Sequence, residues 1–175
     1  MPASPEDLAA FLADIGIETT TVTHEALHTV EQSRALRGEI PGAHTKNLFL
    51  KDKKGKLFLV VADEAAEIDL KRLHGKIGAS GRLSFGKAEE MLDTLGVAPG
   101  AVTAFGLIND RDGRVSIVLD AGLMASDIVN CHPLVNTATT SIAAADLLTF
   151  VRATGHEPQI VALDERAAAA RIEDT

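Results

Sequence analysis

The sequence predicts an α+β domain: one mixed, largely antiparallel sheet flanked by helices. Three observations point to it. Helical periodicities and β-branched apolar runs interleave along the chain without the regular strand–helix alternation of a parallel α/β fold. No internal repeat or linker divides the chain. Its 175 residues, 46% hydrophobic and 24% charged, suit one domain with a sizeable core.

Ser4-Pro5-Glu6-Asp7 has the chemistry of a helix start, with a capping hydroxyl, proline in the first turn and acids at the positive end of the dipole. Leu8, Phe11, Leu12 and Ile15 follow at helical spacing, and Gly16 closes the helix. Residues 17–23 are rich in β-branched side chains and read as a strand. Thr29-Val30-Glu31-Gln32 is a capping-box pattern that starts a second helix, fading by Gly38. Pro41 and Gly42 then mark a loop.

Residues 46–52 and 57–62 form a hairpin around a lysine-rich turn at Gly55. A short helix covers 69–75, and Ser84 caps another running to Leu95. A Gly/Pro loop over 97–104 leads to a second expected hairpin, 105–109 with 115–120, around Asp112-Gly113. Residues 128–131 form a short strand broken by His132-Pro133, residues 143–153 the last long helix, and 159–163 an edge strand. The expected domain spans residues 1–163, with a frayed tail over 164–175.

The net charge of −8 argues against a general nucleic-acid coat. Between Arg34 and Lys87, however, stand 12 Lys/Arg against 6 Asp/Glu, a basic zone able to meet a polyanion locally. No apolar run approaches the length of a membrane span, and the acidic first residues, with no basic side chain, lead us to expect no secretory leader and no membrane partner. The single cysteine, Cys131, fits a reducing cytoplasm.

G-x-S-x-G, Walker and G-x-G-x-x-G motifs are absent. Cys131 and His132 are adjacent on a strand, so they face opposite ways and cannot form a nucleophile–base dyad. Residues 24–28 read H-E-x-x-H, which would hold zinc on a helix. Here the run lies between a strand and a helix start with no third ligand close by, so neither metal nor cofactor is expected.

Four segments together carry a family resemblance: HTVEQ at 28–32, GAHTKNLFLKD at 42–52, PGAVTAFGLIND at 99–110 and NCHPLVNTATT at 130–140. In this order they resemble the YbaK/prolyl-tRNA synthetase insertion-domain family, over about residues 5–163, and within it the free-standing proteins that deacylate alanyl-tRNA(Pro). The resemblance implies a sheet curling around a small pocket and hydrolysis of the ester between a mischarged amino acid and the terminal adenosine of tRNA. It implies as partners the acceptor end of mischarged tRNA(Pro) and, transiently, prolyl-tRNA synthetase, with no DNA.

By the same resemblance the family's Lys-Asn pair falls on Lys46 and Asn47, with Lys46 tied to activity and placed at a strand start to hold a phosphate. Its G-x-x-x-P loop falls on Gly100, Ala101, Val102, Thr103 and Ala104, where backbone N–H groups would hold the ester carbonyl or the attacking water. Gly100 and Ala101 are its expected catalytic part. Ala104 replaces the usual proline. His132 is the expected gate of the amino-acid pocket, with Asn136 and Thr137 as polar neighbours. Water would attack with help from the neighbouring ribose hydroxyl. Two other readings stand beside this one: a deacylase for serine or cysteine, and a non-catalytic module that binds tRNA or a synthetase.

Overall fold

The architecture is organised around one long strand, β2 (Ala43–Lys51), which has partners on both edges. The computed structural model describes residues 1–26, 35 and 40–166. Among these, eight strands form a mixed sheet in the order β1-β7-β6-β2-β3-β5-β8, with β4 also against β2. The strands are β1 (Thr20–Thr23), β2, β3 (Leu57–Asp63), β4 (Ser84–Phe85), β5 (Val115–Asp120), β6 (Ile128–Cys131), β7 (Ala138–Ala143) and β8 (Gln159–Val161). Antiparallel pairs join β1 to β7, β7 to β6, and β2 to both β3 and β4. Parallel pairs join β2 to β6, β3 to β5 and β5 to β8. The mixed, largely antiparallel sheet with flanking helices is the one the sequence predicts.

Residues Leu57 to Ala62 of β3 are buried throughout, as suits a continuous apolar run covered on both faces. Alternate residues feed two cores. Phe49, Leu59, Val61, Ile117 and Leu119 meet α1 (Pro5–Asp14), α3 (Ala88–Leu95) and α5 (Ala144–Ala153) on one face. Leu50, Phe58, Val60 and Val118 meet α2 (Leu70–Ile77) on the other. A short helix, α4 (Ala121–Met124), follows β5. Ser4 caps α1 as expected: its hydroxyl accepts from Asp7 N at 3.1 Å, and the Asp7 carboxylate accepts from Ser4 N at 2.9 Å.

Three expectations are corrected, and one strand is added. The second hairpin does not form: residues Ala104–Asn109 are a 3-10 helix, and β5 pairs in parallel with β3. The Asp110 carboxylate accepts from Arg114 N at 3.0 Å, Val115 N at 2.8 Å and His156 Nε2 at 2.9 Å, and so turns the chain into β5. Ser84 is not a helix cap. It lies in β4, and α3 starts after Lys87, whose N–H donates to the Glu90 carboxylate at 3.1 Å. Residues 138–143, most of them assigned no element from the sequence, form β7. Lys46 does not begin a strand but stands fourth in β2. The helix expected to start at Thr29 and the end of the expected tail, 167–175, lie outside the described residues.

Candidate functional site

The two edges of β2 differ. On the β3 side, pairing runs unbroken from Thr45 to Lys51. On the other side, β6 pairs only with Ala43 and His44, and β4 only with Leu50 and Lys51. Main-chain N–H and C=O groups point to alternate edges along an antiparallel strand. The His44 carbonyl accepts from Glu64 N at 2.9 Å toward β3, and the Phe49 carbonyl accepts from Gly86 N at 2.9 Å on the opposite edge. Asn47 shares the edge of Phe49, so its N–H and C=O open into the gap between β6 and β4. Gly42 lies at the other end of the β6 pairing, against Ile128. At φ +107, a Cβ on it would stand 2.9 Å from both the carbonyl oxygen and Cγ2 of Ile128 in β6.

The expected Lys-Asn pair divides between the faces of the sheet, because successive strand residues point opposite ways. Lys46 lies on the face of Leu48 and Leu50, and its ammonium donates to the Ala66 carbonyl. Asn47 lies on the face of Phe49, where its side-chain carbonyl oxygen is buried without a hydrogen-bond partner among the described residues.

Asn47 shares that face with the other expected loops. Pro99–Ala101 is a single 3-10 turn. Within the turn Ala101 N donates to the Ala98 carbonyl at 2.9 Å, so that N–H is engaged internally. Thr103 is buried, and its hydroxyl accepts from Phe105 N at 3.2 Å as the cap of the next 3-10 helix. Ala104 is the first residue of that helix, a position where proline is also accommodated. Ala101, half-buried Val102 and Leu134 belong to the same core as Phe49. A Cβ on Gly100 would lie 3.4 Å from Asn136 Nδ2, so the structure brings the 99–104 turn against the loop after β6.

That loop, 132–137, joins β6 to β7. His132 Nδ1 donates to the Ala138 carbonyl at 3.1 Å and closes it. Leu134 adopts φ +71, a strained conformation for a branched side chain, and is buried. Asn136 is half-buried and Thr137 exposed, with the Thr137 carbonyl accepting from His24 N at 2.9 Å. The turn and this loop are therefore joined through Gly100 and Asn136, while the Lys46 ammonium is held on the opposite face.

Sequence reasoning passed over Asn130 and Thr45. Asn130 Nδ2 donates to the Pro41 and Ala43 carbonyls, both at 3.1 Å, and its Oδ1 accepts from Ser141 Oγ at 2.5 Å. Thr45 Oγ1 donates to the Asn130 carbonyl at 2.8 Å. The available signal was an asparagine, a poor strand former, inside an apolar strand. Ala66 has no side-chain signal, because its main chain makes the contact.

Cys131 is buried, and burial pushes its thiol up to about 12, so it is no nucleophile at neutral pH. Both ring nitrogens of His24 are engaged, Nδ1 with the Glu25 carbonyl at 2.7 Å and Nε2 with Thr139 Oγ1 at 2.9 Å. Its partner in the H-E-x-x-H run, His28, lies outside the described residues. At the basic turn, the Asp52 carboxylate accepts from Lys54 N and Lys56 N at 2.9 Å and from Ser80 N at 3.0 Å. Led by the Ser80 bond, these hold its pKa below the ordinary carboxylate value. The network fixes a turn that displays exposed Lys53, Lys54 and Lys56.

Comparison with known proteins gives this geometry a family. A model of the aminoacyl-tRNA editing domain matches residues 24–150. The prolyl-tRNA editing protein ProX of Acetoanaerobium sticklandii is 37% identical over 148 residues, 84% of this chain and 90% of that protein. Prolyl-tRNA synthetase associated domain-containing protein 1 of Bos taurus is 40% identical over 158 residues, 88% of this chain and 92% of that protein. A solved structure provisionally named as a trans-editing enzyme for prolyl tRNA synthetase shares the fold with a TM-score of 0.69 at 20% identity, covering 93% of this chain and 98% of that one. Sequence and fold agree across nearly the whole chain, which belongs to the aminoacyl-tRNA editing domain family.

Proposed function

We propose that this protein is a trans-editing deacylase that hydrolyses mischarged tRNA(Pro), foremost alanyl-tRNA(Pro). The observation that carries the reading is the open β2 edge at Asn47, on the face shared with the Gly100–Ala104 turn and the 132–137 loop, in a chain 37% identical to a prolyl-tRNA editing protein. Water adds to the acyl carbon, the ester C–O bond breaks, and the departing ribose oxygen takes the proton. The neighbouring ribose hydroxyl assists the attack, and neither metal nor cofactor enters the scheme. With the Ala101 N–H engaged at Ala98, the donor to the developing oxyanion is another N–H of the turn, that of Gly100 or Val102. Lys46 holds a phosphate of the tRNA 3′ end by leaving the Ala66 carbonyl, an exchange its long stem permits. The protein acts in the cytoplasm, on tRNA released by prolyl-tRNA synthetase.

Editing of this kind answers a chemical limit: a synthetase pocket rejects a substrate lacking one methylene by only about 1–3 kcal/mol. The test is single-turnover deacylation of alanyl-, seryl-, cysteinyl- and prolyl-tRNA(Pro). Alanine is expected to be cleared fastest and proline nearly untouched. Lys46→Ala is expected to slow alanine release by at least about tenfold, ~1.4 kcal/mol, with little change in Tm. Lys46→Arg does not restore the full rate, because the planar guanidinium is larger than the ammonium. A wild-type protein that binds tRNA(Pro) but leaves every ester intact overturns the enzyme reading.

A further inference from the structure

We infer that Asn47 recognises the α-ammonium group of the aminoacyl ester, its side-chain carbonyl oxygen accepting a hydrogen bond from it. The inference rests on the deacylase reading and adds the group through which the site tells an amino acid from other acyl groups. Asn47 Oδ1 is buried and has no donor among the described residues. A buried amide oxygen left unpaired destabilises the fold, and such positions are expected to have a partner, from the protein or from a ligand. Its place on the sheet favours the ligand. The residue stands where β2 pairs with neither β6 nor β4, on the face of the Gly100–Ala104 turn.

The chemistry required at that point is a compact donor without a carboxylate requirement. An α-ammonium has three N–H donors and is charged, so it makes a stronger bond to a neutral carbonyl than a hydroxyl does. The main-chain carbonyl of Asn47 opens into the same gap and supplies a second acceptor within the residue. The ester that water attacks lies one carbon from this ammonium, so holding the nitrogen at Asn47 fixes the acyl carbon relative to the turn.

The experiment compares alanyl-tRNA(Pro) with lactyl-tRNA(Pro), in which a hydroxyl replaces the ammonium at nearly constant size. Single-turnover rates are divided by the spontaneous hydrolysis rate of each ester, which removes their intrinsic difference in reactivity. Wild-type protein is expected to prefer alanyl by at least about tenfold. Asn47→Ala is expected to bring the ratio to within about threefold of unity, whereas Asn47→Asp, which keeps the acceptor, preserves or raises it. A merely structural asparagine would lower both rates together and leave the ratio alone. An unchanged ratio in Asn47→Ala, or an Asn47→Asp that matches Asn47→Ala, overturns the inference. Equal normalised rates in the wild type overturn it without any variant, while the editing reading survives. A wild type that cleaves neither ester overturns both.

Discussion

His132 spends Nδ1 on the Ala138 carbonyl at 3.1 Å, so its ring is held over the loop that carries Asn136. On the proposed reading the ring also walls the amino-acid pocket against proline. Overpacking a rigid site costs roughly 1–3 kcal/mol, enough to exclude a ring while admitting a methyl group. His132→Ala is therefore expected to lower the alanyl-to-prolyl rate ratio by about tenfold or more, with alanine release impaired less than selectivity. Rates on the two charged forms of tRNA(Pro) measure it, and an unchanged ratio moves the gate to Asn136 or half-buried Met124. At this scale the sequence was partly legible. Lys46, Asn47 and the Gly100 turn could be named from their motifs. Their division between two faces could not, because it depends on which edge each strand pairs with. The Ala66 carbonyl that receives Lys46 and the hydrogen bonds of Asn130 were hidden for the same reason.

Elements show where local chemistry was sufficient and where it was not. The Ser4 capping box made α1 readable, and the buried run in Leu57–Ala62 did the same for β3. By contrast β7 is made of residues whose strand state comes from pairing with β6 on one side and β1 on the other, and β1 is more than a hundred residues away in sequence. The 3-10 helix at 104–109 resembled a strand because its buried apolar residues satisfy packing against Leu95 rather than a ladder. A Cβ on Gly106 would stand 2.9 Å from Leu95 Cβ. A close backbone approach stands at Gly42, where the chain enters β2. Gly42→Ala combines φ +107 with a 2.9 Å contact to the Ile128 carbonyl oxygen, and is expected to cost about 1–3 kcal/mol. Thermal denaturation would register this as a lower Tm in a protein that still folds.

Across the whole molecule, charge is divided: a basic zone between Arg34 and Lys87 lies within a chain of net charge −8. Within that zone, Lys51 is paired with Glu90 at 3.0 Å and Lys76 with Glu165 at 2.5 Å, while Lys53, Lys54 and Lys56 stand exposed on the turn built by Asp52. Few phosphates can be neutralised by so small a surface. Affinity for tRNA(Pro) is expected to fall with salt at a log–log slope of about −1.5 to −3.5, from roughly two to four contacts. Titrations at several salt concentrations check it, and binding indifferent to salt would reduce the turn to a solvated hairpin. The split pairing of β2 has a kinetic consequence as well. The amides of Lys46 and Leu48 face β3 and should exchange with deuterium only when the sheet opens globally, whereas that of Asn47, lodged between them, meets no partner among the described residues. A central strand thus carries a labile proton between two slow ones, and occupancy of the gap by an alanyl-adenosine analogue with a non-hydrolysable amide linkage should convert that proton to the slow class.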